Sequence, residues 1–197
     1  MNTEIDIKGG VIMSIQKSEL KSGTVHIRFL TVEDAEAMLH LQLENKAFFE
    51  KTSAERKSEF YTLEGTKERI ASYGESAEKD EDYFFGIFKN DDGSLIGTIN
   101  LFAVMRGSIQ SAFTGYALDE KHNGKGLMTE ALKLIIDYGF NELKLHRLEA
   151  GVMPHNMGSL RVLEKAGFER EGYNRKNVKI NGQWEDHVHL AIVNPND

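Results

Sequence analysis

The segment Lys121–Gly126, Lys-His-Asn-Gly-Lys-Gly, constrains the fold of this chain more than any other stretch. It follows an apolar run, Phe113–Leu118, that is typical of a strand, and it leads directly into Leu127–Leu143, where apolar residues recur at helical spacing. A strand, a glycine loop and a helix in this order predict a helix packed on a sheet, because glycines allow the tight turn. The N–H groups and positive dipole end of the first helical turn then predict an anion site, which is typical of a phosphate-bearing ligand.

Two common phosphate-binding motifs do not fit this loop. A P-loop requires Gly-x-x-x-x-Gly-Lys-Ser/Thr, but Asp119 stands at its first glycine and Gly126 follows the lysine. A dinucleotide fingerprint requires a third glycine where Thr129 stands. A plain strand-to-helix turn without a ligand is the remaining alternative for the hexapeptide taken alone.

The composition excludes several classes of function. The 197 residues include no cysteine, which rules out disulfides, a thiol nucleophile and cysteine-ligated metals, and which suits a cytoplasmic protein. No stretch reaches ~18 apolar residues, and Glu4, Asp6 and Lys8 interrupt the N-terminal segment, so we expect neither a membrane span nor a signal peptide. The net charge of −7 argues against broad binding to nucleic acid and suits a basic substrate.

The predicted elements fit one domain. Residues 1–22 show no clear period and are predicted to be an N-terminal tail, while residues 23–197 are predicted to form a single domain without repeats. The predicted order is β-α-α-β-β-β-α-β-α-β-β, and it ends in a hairpin that turns at Asn181-Gly182. This order predicts an α/β (α+β) fold, a single layer of sheet with helices on its faces.

Two further segments accompany the glycine loop. Met153–Ser159 (Met-Pro-His-Asn-Met-Gly-Ser) leads to Glu164–Phe168 (Glu-Lys-Ala-Gly-Phe), and Gly182–His187 (Gly-Gln-Trp-Glu-Asp-His) follows. The ordered set resembles the GCN5-related N-acetyltransferase (GNAT) superfamily, and within it the RimJ/RimL-type ribosomal-protein N-terminal acetyltransferases, RimJ most closely. The resemblance covers roughly residues 24–192. It implies the GNAT fold, a single mixed, mostly antiparallel twisted sheet of about seven strands with helices on both faces.

The resemblance implies acetyl-CoA as the acetyl donor. The family's phosphate motif is Gln/Arg-x-x-Gly-x-Gly/Ala, with Lys121 at the first position, where only a backbone N–H is needed. The pyrophosphate is expected on the N–H groups of Asn123–Gly126 and the helix start, and the pantetheine beside the backbone of Tyr116–Leu118, in a wedge next to Arg147–Met153. The expected contacts are Tyr116, Ala117, Leu118, Lys121, His122, Asn123, Gly124, Lys125, Gly126, Leu127, Met128, Asn156, Ser159 and Arg161. Arg161 also fits a solvated helix charge.

The resemblance also implies which residues catalyse acetyl transfer. Many relatives place a tyrosine general acid in the helix after the asparagine, but Leu163 stands at that position here. Ser159 fits the serine that RimL-like members use, so Ser159 and Asn156 are the expected catalytic residues. Asn156 also fits a helix N-cap, and Ser159 a small helix residue beside the cofactor. Backbone amides near Ala117 and Leu118 are expected to bind the thioester carbonyl.

The sequence alone does not assign a general base. Many relatives have a glutamate on the strand before the loop, but Ser111–Thr114 contains no carboxylate. Asp186 and His187 are candidates for a remote part in proton transfer, although Asp186 also fits a solvated strand end. His187 and His189 share a strand face, but no third ligand is evident, so we expect no metal site.

In a site without a strong base, the ordinary pKa values of amines favour an α-amine over a lysine as the acceptor. An α-amine with a pKa of ~7.7–8.0 is neutral in roughly a fifth to a third of molecules near pH 7.4, and a lysine in about one in a thousand. We therefore expect a peptide N-terminus, and the resemblance implies an alanine or serine of a ribosomal protein. A small amine (polyamine, aminoglycoside or amino acid) and a non-catalytic acyl-CoA-binding module are the alternatives, and a homodimer is left open. The acceptor pocket is expected between Asn45–Ser76 and the last hairpin.

Overall fold

One mixed sheet organises the residues that the computed structural model describes, which are residues 19–197. Its strands are β1 Glu19–Lys21, β2 Val25–Phe29, β3 Tyr83–Lys89, β4 Leu95–Met105, β5 Ser111–Leu118, β6 Arg147–Val152, β7 Glu169–Ile180 and β8 Gln183–Val193. They are arranged in the order β1-β2-β3-β4-β5-β6-β8-β7. Every neighbouring pair is antiparallel except β5 and β6, which are parallel. The mixed, mostly antiparallel sheet is therefore confirmed, with eight strands where about seven were expected.

Five α-helices connect these strands: α1 Ala35–Glu44, α2 Lys46–Phe49, α3 Leu63–Glu78, α4 Leu127–Asp137 and α5 Met157–Ala166. The helix predicted to reach Leu143 changes at Tyr138 to a π-helix that ends at Glu142. There the backbone lies close to the sheet, because a Cβ on Gly139 would stand 3.2 Å from a Leu148 methyl. Within the described residues, no helix is both long and apolar enough to cross a bilayer.

The helices cover both faces of the sheet, as expected. On one face, α4 and α5 bury a large cluster with the strands, centred on Ile27, Phe85, Ile99, Leu132 and Leu148. On the other face, α1 and α3 bury a smaller cluster made of Leu30, Ala35, Met38, Leu41, Phe49, Ile70 and Phe88. Successive strand residues point to opposite faces, so β3, β4 and β5 contribute to both clusters, through Phe88, Leu95 and Ala117 on the smaller one. We call these the α4–α5 face and the α1–α3 face.

The first strand lies inside the segment predicted to be a tail. Residues 1–18 of that tail are outside the described part, but Glu19–Lys21 pairs with β2. The turn after β1 is tied to α4, because the Glu130 carboxylate accepts hydrogen bonds from the Ser22 hydroxyl (2.7 Å) and from the N–H of Thr24 (3.1 Å). A three-residue strand is too short to show a sequence period, which is why the pattern missed it.

Strands β5 and β6 separate part-way along their length. They pair only where Ser111–Phe113 faces Arg147–Glu149. Beyond that point β5 continues to Leu118 and β6 to Val152 without pairing to each other. The two strands thus bound the wedge that the family resemblance implies, and it opens near the middle of the sheet.

Candidate active site

The glycine loop adopts the backbone geometry that its sequence requires. Gly124 and Gly126 have φ angles of 76° and 83°, in the left-handed region, and Gly126 is the N-cap of α4. No atom lies within 4 Å of the position that a Cβ would take at either glycine. Glycine is therefore needed here for its backbone conformation, and the space in front of the loop is open.

A row of unpaired N–H groups follows from this geometry. Within residues 19–197, no acceptor contacts the backbone N–H of Gly124, Lys125, Gly126 or Leu127. The Asn123 N–H, which the sequence places in the cradle, donates instead to the Glu120 carbonyl at 3.1 Å. The row of unpaired N–H groups thus begins at Gly124, one residue later than the expected site, and it lies at the positive end of α4.

The side chains of the loop hold it in place or lie in solvent. The Lys121 N–H and ammonium both contact the Asp119 carboxylate, at 3.2 and 2.9 Å, and the Lys125 ammonium donates to the Lys121 carbonyl at 2.9 Å. Burial raises the pKa of Asp119, but the hydrogen bonds and charge of Lys121 outweigh burial and hold that pKa below its usual value. His122 is half-buried, while the Leu127 and Met128 side chains are in the core, so those two can offer a ligand only their backbone.

Along the edge of β5 that borders the wedge, only every second residue directs its backbone N–H and C=O groups into the wedge. The Asp119 N–H donates to the carbonyl of Ile96 in β4 at 2.8 Å. Successive strand residues direct their backbone groups to alternate sides, so Tyr116 and Leu118 present theirs to the wedge and Ala117 presents its own to β4. Of the two amides expected to bind the thioester carbonyl, the geometry therefore favours that of Leu118.

Two hydroxyl groups meet on the α4–α5 face of the wedge. The Tyr116 hydroxyl lies 2.8 Å from the Ser159 Oγ and donates to the Ser159 carbonyl at 3.2 Å. Burial raises the pKa of Tyr116 to about 12, against a smaller lowering by the hydrogen bond with Ser159. Asn156 is the N-cap of α5, and its Oδ1 accepts the Ser159 N–H at 3.1 Å. The first turn of α5 therefore fixes Ser159 beside β5.

Two other positions of α5 differ in environment. Leu163, at the position where many relatives carry a tyrosine, is fully buried in the core. Arg161 is exposed and has no carboxylate partner within residues 19–197.

On the α1–α3 face, two glycines line the opening between β5 and β6, and we call them the glycine floor. Gly115 on β5 and Gly151 on β6 lie on the same face and flank the opening between the strands. His187 on β8 is buried beside Gly151, where a Cβ would stand 3.6 Å from its ring. The absence of side chains on this floor leaves an approach from the α1–α3 face to the wedge.

An imidazole and a carboxylate form an ion pair on the same face. The His189 Nε2 lies 2.8 Å from the Glu149 Oε2, and the two side chains are only 19% and 15% exposed. The Arg147 Nε lies 3.5 Å from the same carboxylate oxygen, and Arg147 also pairs with Glu171.

The two walls expected for the acceptor pocket touch each other. The Asn181 side-chain amide, at the tip of the β7–β8 hairpin, donates to the Glu50 carbonyl just after α2 at 2.6 Å. On the α3 side, Tyr73 stacks on Phe84 with a centroid distance of 3.9 Å, and Arg56 and Arg69 contact the Phe60 ring. The Asn181–Glu50 contact therefore joins the hairpin to the segment after α2 on the α1–α3 face.

Asp186 has a structural role. Its carboxylate accepts hydrogen bonds from the Tyr173 hydroxyl (2.9 Å) and the Lys176 N–H (2.7 Å), which fixes the irregularity within β7. His187, the other candidate, has its Nδ1 3.2 Å from the Glu185 carbonyl. No group of three or more His, Cys, Asp or Glu side chains in the described part of the chain is arranged to hold a metal ion.

The chain resembles known proteins over nearly its whole length. Residues 24–169 match the family model described as Acetyltransferase (GNAT) domain. This chain belongs to the GNAT family. A probable N-acetyltransferase from Bacillus subtilis (strain 168), YjcK, is 61% identical, and the match spans 90% of this chain and 98% of YjcK. The Escherichia coli (strain K12) ribosomal protein uS5-alanine N-acetyltransferase is 33% identical over 94% of this chain and 96% of its own.

A solved GNAT structure agrees with the fold. Mycobacterium smegmatis RimJ in complex with CoA-disulfide superposes with a TM-score of 0.84 and 27% identity, over 91% of this chain and 87% of that one. The chain is thus a GNAT N-acetyltransferase that uses acetyl-CoA. The residues present fit this GNAT donor, because unpaired N–H groups and an unpaired strand edge lie on one side of the wedge.

Sequence reasoning missed the Tyr116 hydroxyl and the Glu149 carboxylate, and it considered His189 only as a metal ligand. Tyr116 was expected to contribute only its backbone, and its hydroxyl meets Ser159 because β5 and α5 pack together. Glu149 stands between the buried residues Leu148 and Ala150, a signal of a charged group on the other strand face. Its partner could not be read from the sequence, because the β6–β8 register decides it.

Proposed function

We propose that this GNAT enzyme acetylates the α-amine of an N-terminal alanine or serine of a ribosomal protein. The observation that carries the proposal is the similarity, over 94% of the chain, to an enzyme named for the alanine of ribosomal protein uS5. The free α-amine supports it chemically, because its pKa of ~7.7–8.0 leaves a useful neutral fraction near neutral pH.

The Asn181–Glu50 contact beside the approach on the α1–α3 face also supports a chain end as acceptor. The contact between Asn181 and Glu50 joins the hairpin to the α2–α3 segment. A narrow chain terminus can enter such an opening and reach the glycine floor, whereas an amine in the middle of a folded surface is held back by its own neighbours.

The roles of the site residues follow from their positions in the wedge. The N–H groups of Gly124–Leu127 would hold the pyrophosphate, and the Leu118 amide would bind the thioester carbonyl. The Ser159 hydroxyl would protonate the departing thiolate, with Tyr116 supplying a second hydroxyl behind it. Asn156 would act as a positioning residue, since it holds the Ser159 N–H.

A panel of acceptors tests the proposal. The purified enzyme and acetyl-CoA are incubated with short peptides that begin with alanine or serine, with the same peptides blocked at the N-terminus but carrying an internal lysine, and with spermidine. We expect a mass gain of one acetyl group on the unblocked peptides and little on the others. Faster acetylation of spermidine or of the lysine peptides would reject the proposed acceptor while leaving the transferase activity intact.

A further inference from the structure

We propose that Glu149 and His189 form the proton-accepting pair that deprotonates the acceptor amine. The inference rests on acetyl transfer to an amine and not on which amine is the natural acceptor. It fills the place of the general base, for which the strand before the glycine loop offers no carboxylate.

The pair lies where the wedge begins. Glu149 faces Phe113 at the last paired position of β5 and β6, and His189 faces Gly151 across β6 and β8. Both side chains are on the α1–α3 face, because their strand neighbours are in the cluster under α4 and α5. Ser159 lies on the other face, so the amine loses its proton on one side of the sheet and the thiolate gains one on the other.

The ion-pair contact indicates which imidazole nitrogen can accept a proton. The His189 Nε2 lies 2.8 Å from the Glu149 Oε2, and a carboxylate at this distance favours the imidazole form that carries its hydrogen on Nε2. The neutral imidazole then carries its lone pair on Nδ1. A carboxylate that holds one nitrogen of a histidine and stabilises the imidazolium is a common arrangement for a general base.

The charged groups around the pair support this assignment. Arg147 contacts the Glu149 carboxylate, and Glu171 on β7 pairs with Arg147 from the far side. From β8, His187 lies on the same face, and β5 contributes the uncharged ring of Phe113, edge-on to His189 at a centroid distance of 6.4 Å. No lysine or arginine other than Arg147 contacts the pair within residues 19–197.

The proton balance of the step is simple. His189 faces Gly151, two residues past the last β5–β6 pair, and Leu118 lies five residues past it, so the imidazole and the Leu118 amide are ~10 Å apart along the strands. The ammonium group of the acceptor therefore gives one proton through water to the His189 Nδ1, and the pair passes that proton to solvent. The neutral nitrogen forms the amide C–N bond as the thioester C–S bond breaks. The second proton leaves the nitrogen to solvent, while Ser159 gives its proton to the thiolate and regains one from solvent, so one proton is released per turnover.

His189→Gln is the first test, with kcat/KM followed by CoA release on an alanine-initiated peptide and on spermidine. Glutamine keeps an N–H donor for Glu149 but cannot accept the proton. We expect kcat/KM to fall about 10- to 100-fold at pH 7 and the deficit to shrink to less than about 3-fold at pH 9.5, where an α-amine is already neutral. The KM for acetyl-CoA should not change.

The exposed pair His146–Asp197 provides a matched control, because its Nδ1–Oδ2 distance is also 2.8 Å and it lies before β6 starts. His146→Gln should retain the wild-type pH profile, and Glu149→Gln should reproduce the defect of His189→Gln. Thermal melting and CoA titration confirm that each variant is folded.

A wild-type rate in His189→Gln, or a deficit that is equal at pH 7 and pH 9.5, would overturn the proposal and leave the pair a structural ion pair. If only spermidine reacts, the proposed acceptor fails, yet the pH test of the pair still stands.

Discussion

The two faces of the wedge are built in different ways. The donor side uses backbone: the N–H groups of Gly124–Leu127 and the free edge of β5, from segments that follow each other within the chain. The acceptor side uses side chains from distant segments, where Glu149 meets His189 and Asn181 meets Glu50. Glycine spacing and a helix start fix the first kind of site, whereas strand register fixes the second. A donor site of this kind can therefore be recognised in a sequence long before its acceptor site can.

The largest effect expected on the donor side comes from Ser159→Ala. Loss of the hydroxyl removes the proposed proton donor to the thiolate, so kcat should fall about 100- to 1,000-fold with little change in CoA affinity. Stopped assays of CoA release and a CoA titration measure the two quantities. Unchanged turnover would remove Ser159 from the mechanism.

Tyr116→Phe separates the two hydroxyl groups. It keeps Ser159 and should lower kcat by about 10-fold, because only the second hydroxyl is lost. Burial raises the pKa of Tyr116 to about 12, so its hydroxyl stays protonated between about pH 6 and 10, and no alkaline loss of rate should come from it. A Tyr116→Phe defect as large as that of Ser159→Ala would instead make Tyr116 the principal donor.

A negative charge in the glycine loop should raise the KM for acetyl-CoA. Gly124→Asp places a carboxylate in front of the unpaired N–H groups, and its repulsion of the pyrophosphate should raise the KM for acetyl-CoA by about 30- to 100-fold. The matched control is Gly93→Asp, since Gly93 in the β3–β4 turn has a φ of 69° and equally open space around its Cβ position. Both variants carry the same backbone strain. An equal effect in the two would show that the loop does not hold the pyrophosphate.

The smallest effect is expected at Arg161. Its guanidinium is exposed on α5, so Arg161→Ala should raise the KM for acetyl-CoA by only about 3-fold, and salt should reduce the difference. Lys165→Ala, one turn further along the same helix, serves as the control and should have no effect. Equal KM values for both variants and the wild type would leave Arg161 as a solvated charge.

The sequence predicted local structure well and long-range contacts poorly. The hairpin at Asn181-Gly182, the N-cap at Asn156 and the glycine conformations at Gly124 and Gly126 all depend on a few neighbouring residues, and all are confirmed. The short strand Glu19–Lys21 was missed because its stability comes from pairing with β2. Likewise, the role of Asp186 in fixing β7 depends on a contact across the hairpin.

By itself, the sequence determined the GNAT family, the sheet with helices on both faces and the glycine turn before α4, because each depends on residue type and spacing within short segments. Only the tertiary structure decided that Tyr116 meets Ser159 and that Glu149 meets His189. These contacts join residues that are 40 or more positions apart, and the packing of β5, β6, β8 and α5 sets their geometry. A proton-transfer site needs that geometry to within a hydrogen-bond length, which residue spacing alone cannot specify.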